Sequence, residues 1–231
     1  MKTIDHQLVG QAFDPTSRIT RLPSGEIHLW QWNSADVLAP REFNALARSK
    51  LIHLLQGYAG SDTTPMIETG EHGKPFVADS NYPHFNMSHS SDSVMFAFSR
   101  DHEVGVDIEK TSFRRRFSAL ELAERFFTAE EFARLAALDE PAQNVAFVQL
   151  WTCKEAVLKA LGHGLSFGLD RLQFALDADA SAHSLEAIAA EAGIPQDWQI
   201  HRFVPRHDLL GSLAWRGPAQ RVRTYTLDSG A

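Results

Sequence analysis

Hydrophobic and polar positions along the chain predict a mixed α and β protein. Glu26–Trp32 alternates as a strand does, and Arg41–Tyr58 carries apolar residues at helical spacing before a closing glycine, Gly60. Three further predicted strands are His84–Ser88, Val94–Ser99 and Val104–Glu109. Because only a short polar segment, Arg100–Glu103, separates the last two, we expect them to form a hairpin.

Beyond Glu109 the pattern becomes helical and then returns to strands. The predicted helices are Ser118–Phe127, Ala129–Leu138 and Asn144–Leu161, and the predicted strands are Arg171–Leu176, Trp198–Val204, Leu209–Trp215 and Arg221–Leu227. Thr128 and Glu131 have the spacing of a capping box at the start of the second helix. The order of elements predicts two α+β halves, residues 1–110 and 111–231, divided near Lys110–Phe117.

Composition narrows the classes of protein that fit. A net charge of −7 disfavours non-specific binding to nucleic acid, because phosphates repel an acidic surface. The single cysteine, Cys153, excludes an intramolecular disulfide and cysteine-rich zinc sites, and it favours a reducing, cytoplasmic setting. No apolar run approaches the roughly 20 residues of a membrane helix. We therefore expect a cytoplasmic protein without membrane or nucleic-acid partners.

A predicted strand, Val104–Glu109, carries the first candidate site. Its alternation places Val104, Val106 and Ile108 on one buried face. Asp107 and Glu109 share the other face, where carboxylate oxygens are the type of ligand that Mg²⁺ prefers. Gly105 on that face is expected to leave room for a ligand at the backbone. Taken alone, the pattern also fits an exposed polar strand face.

A second candidate site lies on the predicted helix Asn144–Leu161. Trp151, Glu155 and Lys159 are four residues apart and share one face. Glu155 can supply a third carboxylate to the metal, and Lys154 and Lys159 can clamp phosphate. The same spacing equally fits a solvated Glu–Lys pair.

Two loops add candidate phosphate ligands. Lys74 lies between Gly73 and Pro75 in a predicted turn, and Asn86–Ser90 ends a strand with hydroxyl and imidazole donors, Ser88 and His89 among them. A Ser–His nucleophile pair is disfavoured, because adjacent strand residues point to opposite faces and no Gly-x-Ser-x-Gly elbow is present.

The order of these motifs resembles the 4′-phosphopantetheinyl transferases of the Sfp type. The matching segments are Gly73-Lys74-Pro75, Asn86-Met87-Ser88-His89-Ser90, Gly105-Val106-Asp107-Ile108-Glu109, Trp151-Thr152-Cys153-Lys154-Glu155-Ala156 and Lys159 with Gly162-His163-Gly164-Leu165. The form Trp-x-x-Lys-Glu-Ala indicates the subgroup with alanine after the glutamate. The resemblance extends from Gly73 to about Leu169.

The resemblance implies a pseudo-dimer of two similar α+β halves that binds coenzyme A in the cleft between them. It also implies transfer of phosphopantetheine to a serine of an acyl or peptidyl carrier protein by a monomeric enzyme. Implied Mg²⁺ ligands are Asp107, Glu109 and Glu155; implied catalytic residues are Glu155, Lys159 and His89. Implied coenzyme A ligands are Lys74, Ser88, His89, Lys154 and Lys159, with Arg41, Arg48 and Lys50 as candidates for the adenosine phosphate.

A basic and aromatic cluster, Phe113-Arg114-Arg115-Arg116-Phe117, follows the carboxylate strand. Because carrier proteins are generally acidic, this cluster is a candidate docking site, although a solvated linker fits its composition equally well. Two rival functions are a non-catalytic module that binds coenzyme A or a carrier, and a Mg²⁺-dependent phosphodiesterase that uses water. The first is disfavoured because every expected carboxylate and lysine is present.

Overall fold

The computed structural model describes residues 21–112 and 117–227, together with the backbone of the short strand Asp14–Pro15. Its strands are β1 (Asp14–Pro15), β2 (Glu26–Asn33), β3 (Glu68–Thr69), β4 (Pro75–Phe76), β5 (His84–Ser90), β6 (Ser93–Ser99), β7 (Val104–Lys110), β8 (Leu172–Leu176), β9 (Ala182–Ile188), β10 (Trp198–Arg206), β11 (Leu209–Arg216) and β12 (Arg221–Thr226). Its α-helices are α1 (Pro40–Ala59), α2 (Ala119–Phe126), α3 (Ala129–Ala136) and α4 (Glu140–Leu161). The mixed α and β class predicted from the sequence is confirmed.

Two sheets form the centre of the molecule, and a long helix packs on each. The first has the order β1-β12-β2-β6-β5, and the second has the order β10-β11-β7. Leu51 and Leu54 of α1 pack with Trp30 and Phe96 of the first sheet. Helix α4 lies on the second sheet, and its apolar residues share a core with α2, α3 and the β8–β9 hairpin.

Each sheet includes a strand from the other end of the chain. Strand β12, near the C-terminal end, pairs in parallel with β2, whereas β7 pairs with β11. The predicted boundary at residue 110 divides the order of elements along the chain, but strands from both sides of it pair with each other. The division into two halves stays a prediction, and so does the similarity of the halves. What the topology establishes is that the sheets are interlocked through β7 and β12.

The predicted hairpin between the sixth and seventh strands is wrong. Strand β6 pairs with β2 and β5, whereas β7 belongs to the other sheet. The alternation of β7 explains the difference, because Val104, Val106 and Ile108 face the first sheet and pack against its apolar residues Ile27 and Met95. The polar turn still reverses the chain direction. Strands β6 and β7 then contact each other through apolar side chains between the sheets, and not through backbone hydrogen bonds.

Local capping signals place the helices of the second half. Ser118 and Thr128 each cap a helix in a capping box, as the spacing of Thr128 and Glu131 predicts. Helix α4 begins at Glu140, four residues earlier than predicted, because Asp139 accepts a hydrogen bond from the Ala142 amide. Strand β9 was not predicted. Within the described part of the chain, no helix combines the length and apolar character needed to cross a bilayer.

Candidate active site

The candidate site lies where strand β7 meets helix α4. Gly105 brings these elements together, because a Cβ built on it would overlap backbone atoms of Ala156 and Ala160. The space beside Gly105 therefore belongs to α4, and the expectation that a ligand approaches this backbone is wrong. The close contact holds the carboxylate face of β7 directly against the helix face that carries Glu155 and Lys159.

Asp107 is the centre of a hydrogen-bond cluster in this contact. Its Oδ1 accepts hydrogen bonds from the Ser88 hydroxyl at 2.8 Å and from Lys159 Nζ at 2.7 Å. Lys159 Nζ also donates to Ser88 Oγ at 3.0 Å and to the Val106 carbonyl at 3.2 Å. The cluster thus unites a strand carboxylate, a hydroxyl of β5 and a helix ammonium.

Two buried carboxylate oxygens in the same contact have no hydrogen-bond partner among the residues that the structure describes. They are Asp107 Oδ2 and Glu155 Oε1. Burial raises the pKa of the Glu155 carboxyl to about 7, and the charge of Asp107 adds to this effect while Lys159 opposes it. Unsatisfied buried carboxylate oxygens are costly, which makes this pair a place where a further positive or donor group would be stabilised.

The third predicted metal ligand, Glu109, has a different environment. Its Oε2 accepts a hydrogen bond from the Ser90 hydroxyl at 3.2 Å. Within residues 21–112 and 117–227, no three or more His, Cys, Asp and Glu side chains are grouped closely enough to hold a metal ion. The three carboxylates lie on the expected elements, but the structure does not show a preformed three-ligand cluster.

Lys74 and Lys159 line one cavity of about 210 Å³, here called the lysine cavity. Asn86, Gly162 and Gly164 are among the other residues of its wall. Lys74 Nζ is bound by the Glu103 carboxylate and donates to the carbonyls of two further residues, at the start of β7 and in the last turn of α4. These contacts could not be predicted from the local sequence around Lys74, because the acceptors lie 29 to 86 residues further along the chain.

Predicted ligand His89 lies apart from this cavity. The ring of His89 packs near Phe43 of α1, with centroids 5.9 Å apart. It lines a second cavity of about 570 Å³ together with Ser34, Asp92 and Lys110. Because Ser88 and His89 are neighbours on a strand, they point to opposite sides, so His89 lines this second cavity whereas Ser88 binds Asp107.

Lys154 is wrongly assigned by the motif as a ligand of coenzyme A. Its side chain is fully buried, and it pairs with the equally buried Glu131 at 2.8 Å. Its Nζ also donates to the carbonyls of Leu169 and Leu172 at 2.8 and 2.5 Å. Lys154 therefore points into the core that α4 shares with α2, α3 and the β8–β9 hairpin, and its ammonium is fully enclosed by protein acceptors.

Predicted adenosine-phosphate ligands lie on helix α1. Arg41 and Arg48 are exposed and seven residues apart, so they share the outer face of the helix. Neither is among the residues that line the two cavities. Lys50 is buried instead and lies over the Trp32 ring at 6.0 Å. Of the predicted docking cluster, Phe113, Arg114, Arg115 and Arg116 lie outside the described residues, whereas Phe117 is exposed.

Fold and site together define a two-sheet α+β protein with a carboxylate–lysine cluster between a strand and a long helix. Comparison with known proteins agrees with this class. The family model of the 4′-phosphopantetheinyl transferase superfamily matches residues 103–210, which include β7, α4 and the cluster residues Asp107, Glu155 and Lys159. The chain is 31% identical over 182 residues to the 4′-phosphopantetheinyl transferase HetI of Nostoc sp., covering 77% of this chain and 71% of that protein.

Shorter matches are stronger in identity. The chain is 41% identical over 113 residues to 4′-phosphopantetheinyl transferase Sfp of Bacillus subtilis, covering 49% of this chain and 48% of that protein. It is equally identical over 113 residues to the human L-aminoadipate-semialdehyde dehydrogenase-phosphopantetheinyl transferase, covering 45% and 37%. These matches span about half or less of each relative. The chain belongs to the 4′-phosphopantetheinyl transferase superfamily.

Proposed function

We propose that this chain transfers the 4′-phosphopantetheine arm of coenzyme A to a serine of an apo carrier protein. The products are the holo carrier and adenosine 3′,5′-bisphosphate. Family membership and the names of the relatives support this reaction. The single observation that carries it is the pair of buried, unpartnered oxygens on Asp107 and Glu155, which lies beside the Lys159 ammonium.

Magnesium fits the chemistry of this donor set. Asp107, Glu109 and Glu155 would hold Mg²⁺, since carboxylate oxygens are its preferred protein ligands and two of them are unpartnered. When bound, the ion supplies charge neutralisation to the pyrophosphate and to the departing nucleotide.

The reaction asks the protein for positioning and charge rather than covalent chemistry. The serine oxygen of the carrier forms a bond to the β-phosphorus of coenzyme A while the bond from that phosphorus to the bridging oxygen of the nucleotide breaks. Glu155 accepts the serine proton, and Lys159 offsets the negative charge that develops on the leaving nucleotide. Because the nucleophile belongs to the carrier, no serine or cysteine of this chain has to react.

In this proposal the remaining predicted ligands bind the phosphate groups of coenzyme A. Lys74 and Ser88 border the phosphate path in the lysine cavity and the Asp107 cluster. His89 belongs to the neighbouring, larger cavity, which suits a second phosphate group of the same substrate. Arg41 and Arg48 remain candidates for attracting that phosphate from the outer face of α1.

Carrier docking is proposed at the basic cluster from Phe113 to Phe117. It comes shortly after β7 in the sequence and is basic in a chain of net charge −7, so it would attract an acidic carrier. Replacing Arg114, Arg115 and Arg116 together with alanine should raise KM for the carrier far more than KM for coenzyme A. Equal increases in both would contradict docking at this cluster.

Intact-protein mass spectrometry tests the proposed reaction. An apo carrier is incubated with the full chain, coenzyme A and Mg²⁺, with EDTA as the control. We expect the carrier to gain one phosphopantetheinyl group, and we expect EDTA to abolish the gain. Coenzyme A binding with several unmodified apo carriers would favour a binding module, and release of free phosphopantetheine without a carrier would favour a phosphodiesterase.

A further inference from the structure

Within the described part of the chain, strand β7 pairs with another strand along one edge only. It pairs with β11 along that edge, with Gly105, Asp107 and Glu109 opposite Ala214, Ser212 and Leu210. In an antiparallel pair, the backbone groups of alternate residues point to opposite edges, so those of Val106 and its alternate neighbours point away from β11. Strand β5 lies alongside this open edge but belongs to the other sheet.

Side chains satisfy the backbone groups of this open edge. Asn86 Oδ1 accepts from the Val106 amide at 3.0 Å, Ser88 Oγ accepts from the Ile108 amide at 3.3 Å, and Lys74 and Lys159 donate to the carbonyls of Val104 and Val106, each at 3.2 Å. The spacing of twenty residues in both amide bonds shows that β5 and β7 run in the same direction. Four side chains therefore take the place of a neighbouring strand.

Three of these four residues already have a proposed role toward coenzyme A, and Asn86 does not. Its side chain is 4% exposed, and its carbonyl oxygen binds the amide of the residue directly before Asp107. The next alternate side chain of β5, Ser88, binds both the Ile108 amide and Asp107 Oδ1. Asn86 and Ser88 thus hold β7 on either side of the Asp107 position.

We propose that Asn86 is a positioning residue for Asp107. Its amide oxygen fixes the Val106 peptide and thereby fixes the carboxylate that is the centre of the candidate cation site. This inference rests on the proposed function, because it gives Asn86 its importance through the metal ligands.

The test compares Mn²⁺ binding by three variants of the whole chain with binding by the wild type. Mn²⁺ alone is the probe, and its binding is measured by electron paramagnetic resonance. Asn86→Leu has similar volume but no acceptor, and Asn86→Asp keeps an acceptor oxygen. The matched control is Ser99→Ala, because the buried Ser99 hydroxyl also accepts from backbone amides, those of Asp101 and His102 in the turn before β7.

We expect Asn86→Leu to weaken Mn²⁺ binding at least tenfold and to lower kcat for transfer by a similar factor, with KM for coenzyme A within threefold of the wild type. Asn86→Asp and Ser99→Ala should stay within threefold in Mn²⁺ affinity. Circular dichroism monitors folding, and Asn86→Ala, which also lacks a side-chain acceptor, replaces the leucine variant in the same comparison if that variant does not fold.

Three outcomes overturn the proposal. Unchanged Mn²⁺ affinity in Asn86→Leu shows that the residue does not position the site, while the proposed function stands. A change confined to KM for coenzyme A shows that Asn86 contacts the substrate. A wild-type protein that transfers without binding Mn²⁺ removes the cation site itself, and the failure then lies in the metal part of the proposed function.

Discussion

Two lysines on helix α4, five residues apart, differ sharply in surroundings. Lys154 and Lys159 each donate to three protein acceptors, so the number of hydrogen bonds does not distinguish them. Lys154 is fully buried with Glu131 in the core of the second half, whereas the side chain of Lys159 is 25% exposed and lies at the lysine cavity.

Their partners explain the difference in role. Glu131 is satisfied by the amides of Thr128 and Phe174 as well as by Lys154, so this ion pair closes a complete network. Lys159 instead binds one oxygen of Asp107 and leaves the other oxygen unpartnered. A complete buried network holds a fold together, and an incomplete one beside a cavity is poised to accept a ligand.

Breaking the complete network should have the largest effect, and this effect should fall on stability. Lys154→Met keeps a long side chain beside Phe127 and Phe174 but leaves Glu131 charged and buried. We expect the free energy of unfolding in urea to fall by about 3–5 kcal/mol. The double variant with Glu131→Gln should recover part of this loss, because it removes the buried charge and its single side-chain oxygen can still accept one of the two amide hydrogen bonds. If Lys154→Met folds but loses transfer activity, Lys154 belongs to the active site and the purely structural role is wrong.

Removing the second lysine should affect transfer instead. Lys159→Met takes away the ammonium that offsets leaving-group charge, and we expect kcat to fall by about 10²-fold or more. The unfolding free energy should change by less than about 1.5 kcal/mol, since the side chain is partly exposed and only neighbouring hydrogen bonds are lost. The proposed difference between the two lysines would be wrong if Lys159→Met lost as much stability as Lys154→Met and retained its kcat.

Gly105 tests the contact that brings the lysine face of α4 to β7. Gly105→Ala forces the helix away from the strand, because the added Cβ meets helix backbone rather than a flexible side chain. We expect a loss of at least about 1–3 kcal/mol in unfolding free energy together with slower transfer. Gly70→Ala is the control, since its nearest atom, the Lys74 carbonyl oxygen, is 3.4 Å from the new carbon. Equal stability of the two variants would contradict the close packing.

A third lysine, Lys74, should show the smallest effect through its partner Glu103. Burial alone would raise the pKa of the Glu103 carboxyl, but His84 and Lys74 outweigh it and lower the pKa to about 2. The half-exposed carboxylate therefore contributes stability that is present above its ordinary pKa of 4.5 and is lost as the pH falls toward 2. Glu103→Gln should cost under about 1 kcal/mol near pH 7 and nothing near pH 2, as measured by denaturation across this range.

Local rules in the sequence predicted much of this site. The alternation of β7 correctly separated the valine face from the carboxylate face, and helical spacing placed Glu155 and Lys159 together. The end of α4 was also predicted correctly from Gly162. This glycine adopts the left-handed conformation, with φ of 79°, that commonly ends a helix. Such features depend on neighbours a few residues away.

Long-range pairing was beyond those rules. The sixth and seventh strands looked like a hairpin because the turn between them is local, whereas β11, the true partner of β7, lies about a hundred residues later. Lys154 is a partial exception. Its helical neighbours Leu150, Val157 and Leu158 are apolar, which indicates a buried position, but its partner Glu131 lies on another helix.

The most direct test of the account uses two adjacent residues of α4 that have different surroundings, Lys154 and Glu155. Transfer of phosphopantetheine to an apo carrier is followed by intact mass in a single-turnover time course, with Glu155→Gln and Lys154→Met compared under conditions where both are folded. The account predicts that Glu155→Gln is slower than the wild type by about 10²–10⁴-fold, whereas Lys154→Met stays within about threefold. Full turnover by Glu155→Gln would contradict the assignment of Glu155 as the group that accepts the serine proton.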